Sequence, residues 1–218
     1  MLEVDSVQLS FKNRKILSDI FISAEKGKIT GLLGRNGQGK SSLFKVIYGI
    51  LPAEKFVRIN GIKLEHAFRK PKLIRYLPQF NFIPGRLNLK TIFKEFSIDF
   101  TEFIIYFPEY ANAYFSRIDS LSGGGRRLVE IYALIKTKSE FVLLDEPFSH
   151  LAPIQIDIVK DLLIKESHTK GFIVTDHLYK HISEVSSSLY VLSNQKTYLT
   201  SSIRDLETLG YAIIDSTY

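Results

Sequence analysis

The chain reads as an α/β fold: a mostly parallel central sheet, with an antiparallel β subdomain and a small α-helical subdomain beside it. Two stretches predict the parallel core. Gly34-Arg35-Asn36-Gly37-Gln38-Gly39-Lys40-Ser41 fits the phosphate-binding loop pattern G-x-x-x-x-G-K-[ST] at every required position. Phe141-Val142-Leu143-Leu144 is an uninterrupted apolar run, as a parallel strand buried on both faces requires. It delivers Asp145-Glu146 to its C-terminal end, where open α/β sheets bind ligands. A third stretch predicts the helical lobe: eleven of the chain's 16 Phe and 11 Tyr fall between residues 80 and 115.

In order, Val4 to Phe11 alternates apolar and polar residues and reads as a strand. Lys12-Asn13-Arg14-Lys15 is a polar turn, and Ile16 to Ala24 returns as a second strand. Glu25-Lys26-Gly27-Lys28 turns the chain into the strand Lys28 to Leu33, which enters the phosphate loop. Ser42 to Gly49 reads as a helix with Leu43, Val46 and Ile47 on one face. Such a loop aims backbone N–H groups at phosphate oxygens, and the following helix adds the positive end of its dipole. Lys40 would reach the β- and γ-phosphates, while the Ser41 hydroxyl would ligate Mg²⁺. The core is therefore expected to be a P-loop NTPase core.

Lys55 to Asn60 is a further strand closed by the turn signal Asn60-Gly61, and Lys72 to Leu77 is another, ending at Pro78-Gln79. The first strands and their tight turns suggest an antiparallel sheet beside the nucleotide core. Phe93, Phe96, Phe100, Phe103, Phe107 and Tyr110 have helical spacing, but Pro108 forbids one unbroken helix, so two or three short ones are expected. The rings either fill the lobe's own core, the simpler expectation, or line a groove for a partner helix. Leu121-Ser122-Gly123-Gly124-Gly125 leads into a helix through Leu134, and Ile154 to Ser167 is a second. Gly171 to Thr175 is a strand ending at Asp176-His177. Leu189 to Leu192 and Thr197 to Leu199 flank a polar turn, and Ile203 to Leu209 reads as a last short helix. One domain spanning 1–218 is expected, with the core and antiparallel subdomain at about 1–79 and 121–218 and the helical subdomain at about 80–120.

Composition narrows the class. Hydrophobic residues make up 45%, enough for a sizeable core, and no run approaches a membrane span. Met1 to Asp5 lacks the basic and then apolar regions of a signal peptide. Cysteine is absent, which excludes disulfides and thiolate metal sites and makes the cytosol the simplest compartment. The net charge of +6 includes no dense Lys/Arg block, so charge alone decides nothing and no nucleic acid is expected.

Together these elements resemble the ATP-binding cassette (ABC) ATPase domain over essentially the whole chain. Phe11 matches the aromatic on which that family stacks adenine, and Gly34 to Ser41 match its phosphate loop. Gln79 matches the glutamine that reaches Mg²⁺ and opens the helical lobe. Leu121-Ser122-Gly123-Gly124 match the signature, Asp145-Glu146 with Pro147 the Walker B pair, and His177 the switch histidine. The resemblance implies ATP and Mg²⁺ as cofactors, with Ser41, Gln79 and Asp145 at the metal. It implies Glu146 as general base, His177 at the γ-phosphate and Gln79 helping to place the water. Nucleotide contacts are expected from Phe11, from Gly34, Arg35, Asn36, Gly37, Gln38, Gly39, Lys40, Ser41 and Ser42, and, towards the ATP of a second subunit, from Ser122, Gly123 and Gly124.

By the same resemblance the chain is expected to pair with a second ABC ATPase subunit, itself or a different one. It would drive a separate transmembrane permease from the cytoplasmic face of the cell membrane. The alternatives are a soluble, non-transport ABC ATPase and a weakly active half of a heterodimer. Two departures bear on pairing. Gly125 stands where the signature usually has Gln or Glu, and Ala152 replaces an aspartate that commonly bridges the two subunits.

Overall fold

The computed structural model describes residues 1–200 and 203–211. Strands β1 (Leu2–Phe11) and β2 (Arg14–Ala24) form an antiparallel hairpin. Irregular pairing after Val4, Val7 and Leu9 keeps all three inward despite their uneven spacing, as bulges do. Then come β3 (Ile29–Leu33), α1 (Lys40–Tyr48), β4 (Glu54–Ile59) and the short β5 (Ile62–Lys63). Asn60 and Gly61 both take positive φ, 51° and 79°, which is how a two-residue loop closes a twisted hairpin. Strand β6 (Ile74–Leu77) begins two residues later than its apolar pattern suggests, because Lys70 to Leu73 form a turn.

The lobe follows as α2 (Leu89–Phe96) and α3 (Phe100–Tyr106) with short 3₁₀ turns. Asn88 caps the first by accepting from Thr91 N at 2.8 Å, and Asp99 the second by accepting from Thr101 N at 2.7 Å. Pro108 lies just past the end of α3. Helix α4 (Gly123–Lys136) returns to the core, followed by β7 (Phe141–Asp145), α5 (Pro153–Ser167) and β8 (Gly171–Thr175). Helix α6 (Tyr179–Val185), β9 (Ser188–Ser193), β10 (Lys196–Thr200) and α7 (Ile203–Thr208) complete the described chain.

Among the described residues the strands form two sheets. One is antiparallel, in the order β2-β1-β4-β5; the other runs β10-β9-β3-β8-β7-β6. In the second, β9, β3, β8, β7 and β6 are parallel and only β10 is reversed. Each central strand divides its side chains between two cores. Phe141, Leu143, Ile173 and Leu32 face α1 and the antiparallel sheet, while Val142, Leu144, Phe172, Val174 and Leu33 face α4, α5 and α6. The period of two in a fully apolar strand thus welds layers on both faces.

Most of the lobe's rings point inward. Phe93, Phe103 and Phe107 are buried around Tyr132 of α4, with centroids 4.9–6.3 Å from it, whereas Phe80 and Phe115 are exposed. One element carried no sequence signal. Helix α6 is two turns long, lacks a side-chain cap and holds itself by burying Ile182 and Val185. Part of the expected C-terminal core, residues 212–218, lies outside the described residues.

Candidate functional site

Strand β3 ends at Leu33, and the chain wraps from Gly34 to Gly39 into the first turn of α1. Gly39 sits at φ 104°, and a Cβ there would lie 3.0 Å from the Ile16 side chain. Only glycine lets the loop close against β2 in that conformation. Lys40 opens α1 and is only 6% exposed. Its Nζ donates to the carbonyls of Gly34 at 2.5 Å and Arg35 at 3.4 Å, which folds the side chain back over the loop. Burial pulls the Lys40 ammonium below its usual range, opposed by the carboxylates of Glu146, Asp145 and Asp176.

A cavity of about 440 Å³ opens above this loop. Phe11, Arg14 and Ile16 form one wall, Asn36, Gly37, Gly39, Lys40, Ser41 and Ser42 the floor, and Gln79 and Glu146 the far end. An aromatic wall beside a floor of backbone N–H groups suits a flat base at one end and phosphates at the other. Arg35 and Gln38, in the same loop, face a separate cleft of about 340 Å³ against Leu192 to Asn194 and residues 208–211.

The far end is built by the tips of β7 and β8. Asp145 is fully buried; its Oδ2 accepts from the Tyr76 hydroxyl at 3.1 Å, while Oδ1 has no hydrogen-bond partner among the described residues. Burial drives its carboxyl above the ordinary range, opposed by the nearby Ser41 and Tyr76 hydroxyls. Glu146 adopts a left-handed backbone, φ 50°, and its N–H donates to Thr175 O at 2.7 Å. Gln79 Nε2 donates to Glu146 Oε2 at 2.7 Å. His177 Nδ1 lies 3.8 Å from that same oxygen and 3.3 Å from Asp176 Oδ1.

One guanidinium holds this end together. Arg127 of α4 donates to Pro78 O at 2.7 Å, Asp145 O at 2.9 Å and Glu146 O at 3.2 Å. It thereby ties the residue before Gln79 to the two carboxylate-bearing residues. The buried Asp176 carboxylate accepts from the backbone of Phe148 and Leu178, both at 3.0 Å, tying the chain around His177 to the loop after Glu146. Arg14, Ile16, Tyr76, Arg127 and Asp176 belong to no motif in the sequence, yet they line or brace the site. Arg127 did leave a signal: with Glu130 it puts two charges on the buried face of α4, and buried charges need partners.

Ser122, Gly123 and Gly124 do not line the cavity. They open α4, where Ser122 Oγ accepts from Gly125 N at 3.1 Å. A Cβ on Gly124 would lie 2.6 Å from His150 O, so the loop after Glu146 packs directly on this helix start.

A phosphate loop on a parallel sheet, with Asp145-Glu146 on a neighbouring strand and a helical lobe entered through Gln79, defines a P-loop nucleotide-binding protein. Residues 17–149 match the family model described as ABC transporter, and the chain belongs to that family as an ATP-binding subunit. It is 30% identical to the lipopolysaccharide export system ATP-binding protein LptB of Haemophilus influenzae, covering 92% of this chain and 90% of the relative. Identity to the LptB of Escherichia coli K12 is also 30%, over 88% and 86% of the two chains. Its fold matches a solved ATP-binding subunit of an ABC transporter with TM-score 0.81 at 20% identity, covering 97% of this chain and 94% of that one.

Proposed function

We propose that this chain hydrolyses Mg·ATP at the described cavity and, by ATP-driven pairing with a second ABC ATPase subunit, powers a separate transmembrane permease. The observation that carries the reading is the junction of the phosphate loop with the Gln79–Glu146 pair at one end of the cavity. Phe11 would stack the adenine ring, and the backbone of Gly34 to Ser42 would hold the phosphates. Binding would draw Lys40 from its own loop carbonyls towards the β- and γ-phosphate oxygens.

The donors present fit a hard divalent cation. Asp145 offers a buried carboxylate oxygen lacking a partner among the described residues, and Ser41 and Gln79 supply neutral oxygens. Bound there, Mg²⁺ would neutralise charge on the β- and γ-phosphates. Glu146, oriented by Gln79 and anchored by Arg127, would take the proton of the attacking water. His177, beside the same carboxylate, would hydrogen-bond the γ-phosphate. Ser122 and Gly124, outside the chain's own cavity, would complete the phosphate site of the partner subunit.

Among the described residues no helix is long and apolar enough to cross a membrane. The proposed location is peripheral, on the cytoplasmic face of the membrane that holds the permease. Lys40→Ala tests nucleotide binding. Titration with a fluorescent ATP analogue should show affinity falling by about 10- to 100-fold, since a charge-assisted contact to phosphate is lost. Unchanged affinity would overturn the assignment of the loop.

A further inference from the structure

The start of α4 is packed in a way the motif pattern does not describe. A Cβ on Gly125 would lie 2.6 Å from the Tyr110 hydroxyl and 3.2 Å from Ser122 Oγ. The volume that a side chain at 125 would fill is therefore taken by a tyrosine from the 3₁₀ turn Pro108–Tyr110 of the helical lobe. The Tyr110 ring packs on Phe103 with centroids 5.7 Å apart, so it cannot swing away freely. The side chain of Gln155 lies beside its hydroxyl. Gln155 in turn accepts from Ala152 N at 3.2 Å and reaches Glu109 Oε1 at 3.5 Å.

These contacts close a circuit. The lobe touches the first turn of α4 through Tyr110, the adjacent Glu109 accepts from Gln155 of α5, and Gln155 holds Ala152, in the loop that descends from Glu146. Gly124 closes the other side against His150 O. We propose that Tyr110 is a positioning residue for the reaction: it occupies the space left by Gly125 and fixes the Ser122 end of α4 against the loop after Glu146. The two segments are then held in one register when a second subunit meets them. This role rests on the functional reading above, in which Ser122 acts on the partner's nucleotide. The side chain missing at 125 is replaced from across the lobe, and the carboxylate missing at 152 leaves a backbone N–H held by Gln155.

The test is a cycle of Tyr110→Phe, Gly125→Ala and the double variant in the purified full-length chain, reading ATP affinity, kcat and Tm. For Tyr110→Phe, ATP affinity should stay within about twofold while kcat falls by about tenfold, because only a contact realised in the assembled site is disturbed. Gly125→Ala should also lower kcat, its methyl colliding with the hydroxyl. In the Tyr110→Phe background the same methyl should cost far less, a coupling that unrelated defects do not show. Unchanged kcat in Tyr110→Phe, or losses that merely add, would overturn the proposal. So would a parallel fall of affinity, kcat and Tm, which marks a folding defect alone. A wild type without turnover or ATP-dependent pairing would overturn self-pairing, and the positioning role in a self-paired site with it. A competent wild type beside an unaffected Tyr110→Phe overturns the positioning role alone.

Discussion

Asp145 shows how the site opposes stability to function. Its carboxylate is buried with one oxygen unpartnered among the described residues, and burial raises its pKa above the ordinary 3.8. A raised carboxyl means that the folded chain holds the proton more tightly than the unfolded one. The stability this contributes is full below about 3.8 and is lost as pH rises through the folded value. At neutral pH the ionised group is therefore a net cost, which the proposed Mg²⁺ would offset. Asp145→Asn, which keeps an acceptor for Tyr76, should raise the Tm of the nucleotide-free protein at pH 7. The gain should shrink towards pH 4 and reverse in order when Mg·ATP is added, since the variant gains less from the ligand. Thermal melts at several pH values, with and without Mg·ATP, check all three. A variant that melts below the wild type at neutral pH without ligand contradicts the account.

The residues proposed to hold nucleotide and metal were legible in the sequence because phosphate chemistry demands short contiguous motifs. Gly34 to Ser41, Asp145 and Glu146 are of this kind. Residues that act by tertiary approach were not. Arg127, Tyr76 and Tyr110 each meet their partners across more than a dozen positions of chain, and no local spacing announces such a meeting. Gly125 was legible only as a departure; what fills its place became visible when the lobe was folded against α4.

At the scale of elements, the lobe is tied to the core by charge as well as by aromatic packing. Lys136, in the last turn of α4, bonds Glu102 of α3 and Glu166 of α5, each at 2.7 Å. The buried Lys170 caps the end of α4 by donating to Ile135 O at 2.6 Å and Thr137 O at 2.8 Å, with Glu166 3.8 Å away. Lys136→Met would leave Glu102 and Glu166 facing each other without a cation. It should destabilise the chain by about 1–3 kcal/mol, below the figure for a fully buried pair because Glu102 is one-third exposed. Chemical denaturation measures this directly, and an unchanged midpoint would remove the triad from the account. Long apolar runs announced the parallel strands, and Pro108 announced the break in the lobe. Helix α6 went unannounced because two turns without a cap depend on packing Ile182 and Val185 rather than on any local signal.

At the scale of the molecule, the proposed pairing explains why two motif-bearing regions lie apart in one chain. The cavity carries Phe11 on one wall, the loop from Asn36 to Ser42 as its floor, and Glu146 and Gln79 at its end, whereas Ser122 and Gly124 open a helix that does not line it. Pairing with a second subunit would bring such a helix start onto each phosphate loop, so that ATP holds the pair together and hydrolysis releases it. With Gly125 and Ala152 at the proposed contact, the partner would be either a second copy of this chain or a different cassette.

The most direct test compares wild type with Glu146→Gln by size exclusion, with and without Mg·ATP. The account predicts that the variant, with turnover lowered by about 100-fold or more, holds a stable dimer only with Mg·ATP, while the wild type hydrolyses and separates. Monomers of both proteins, with ATP bound and negligible turnover, would contradict self-pairing and transfer the missing half of the site to a different cassette subunit.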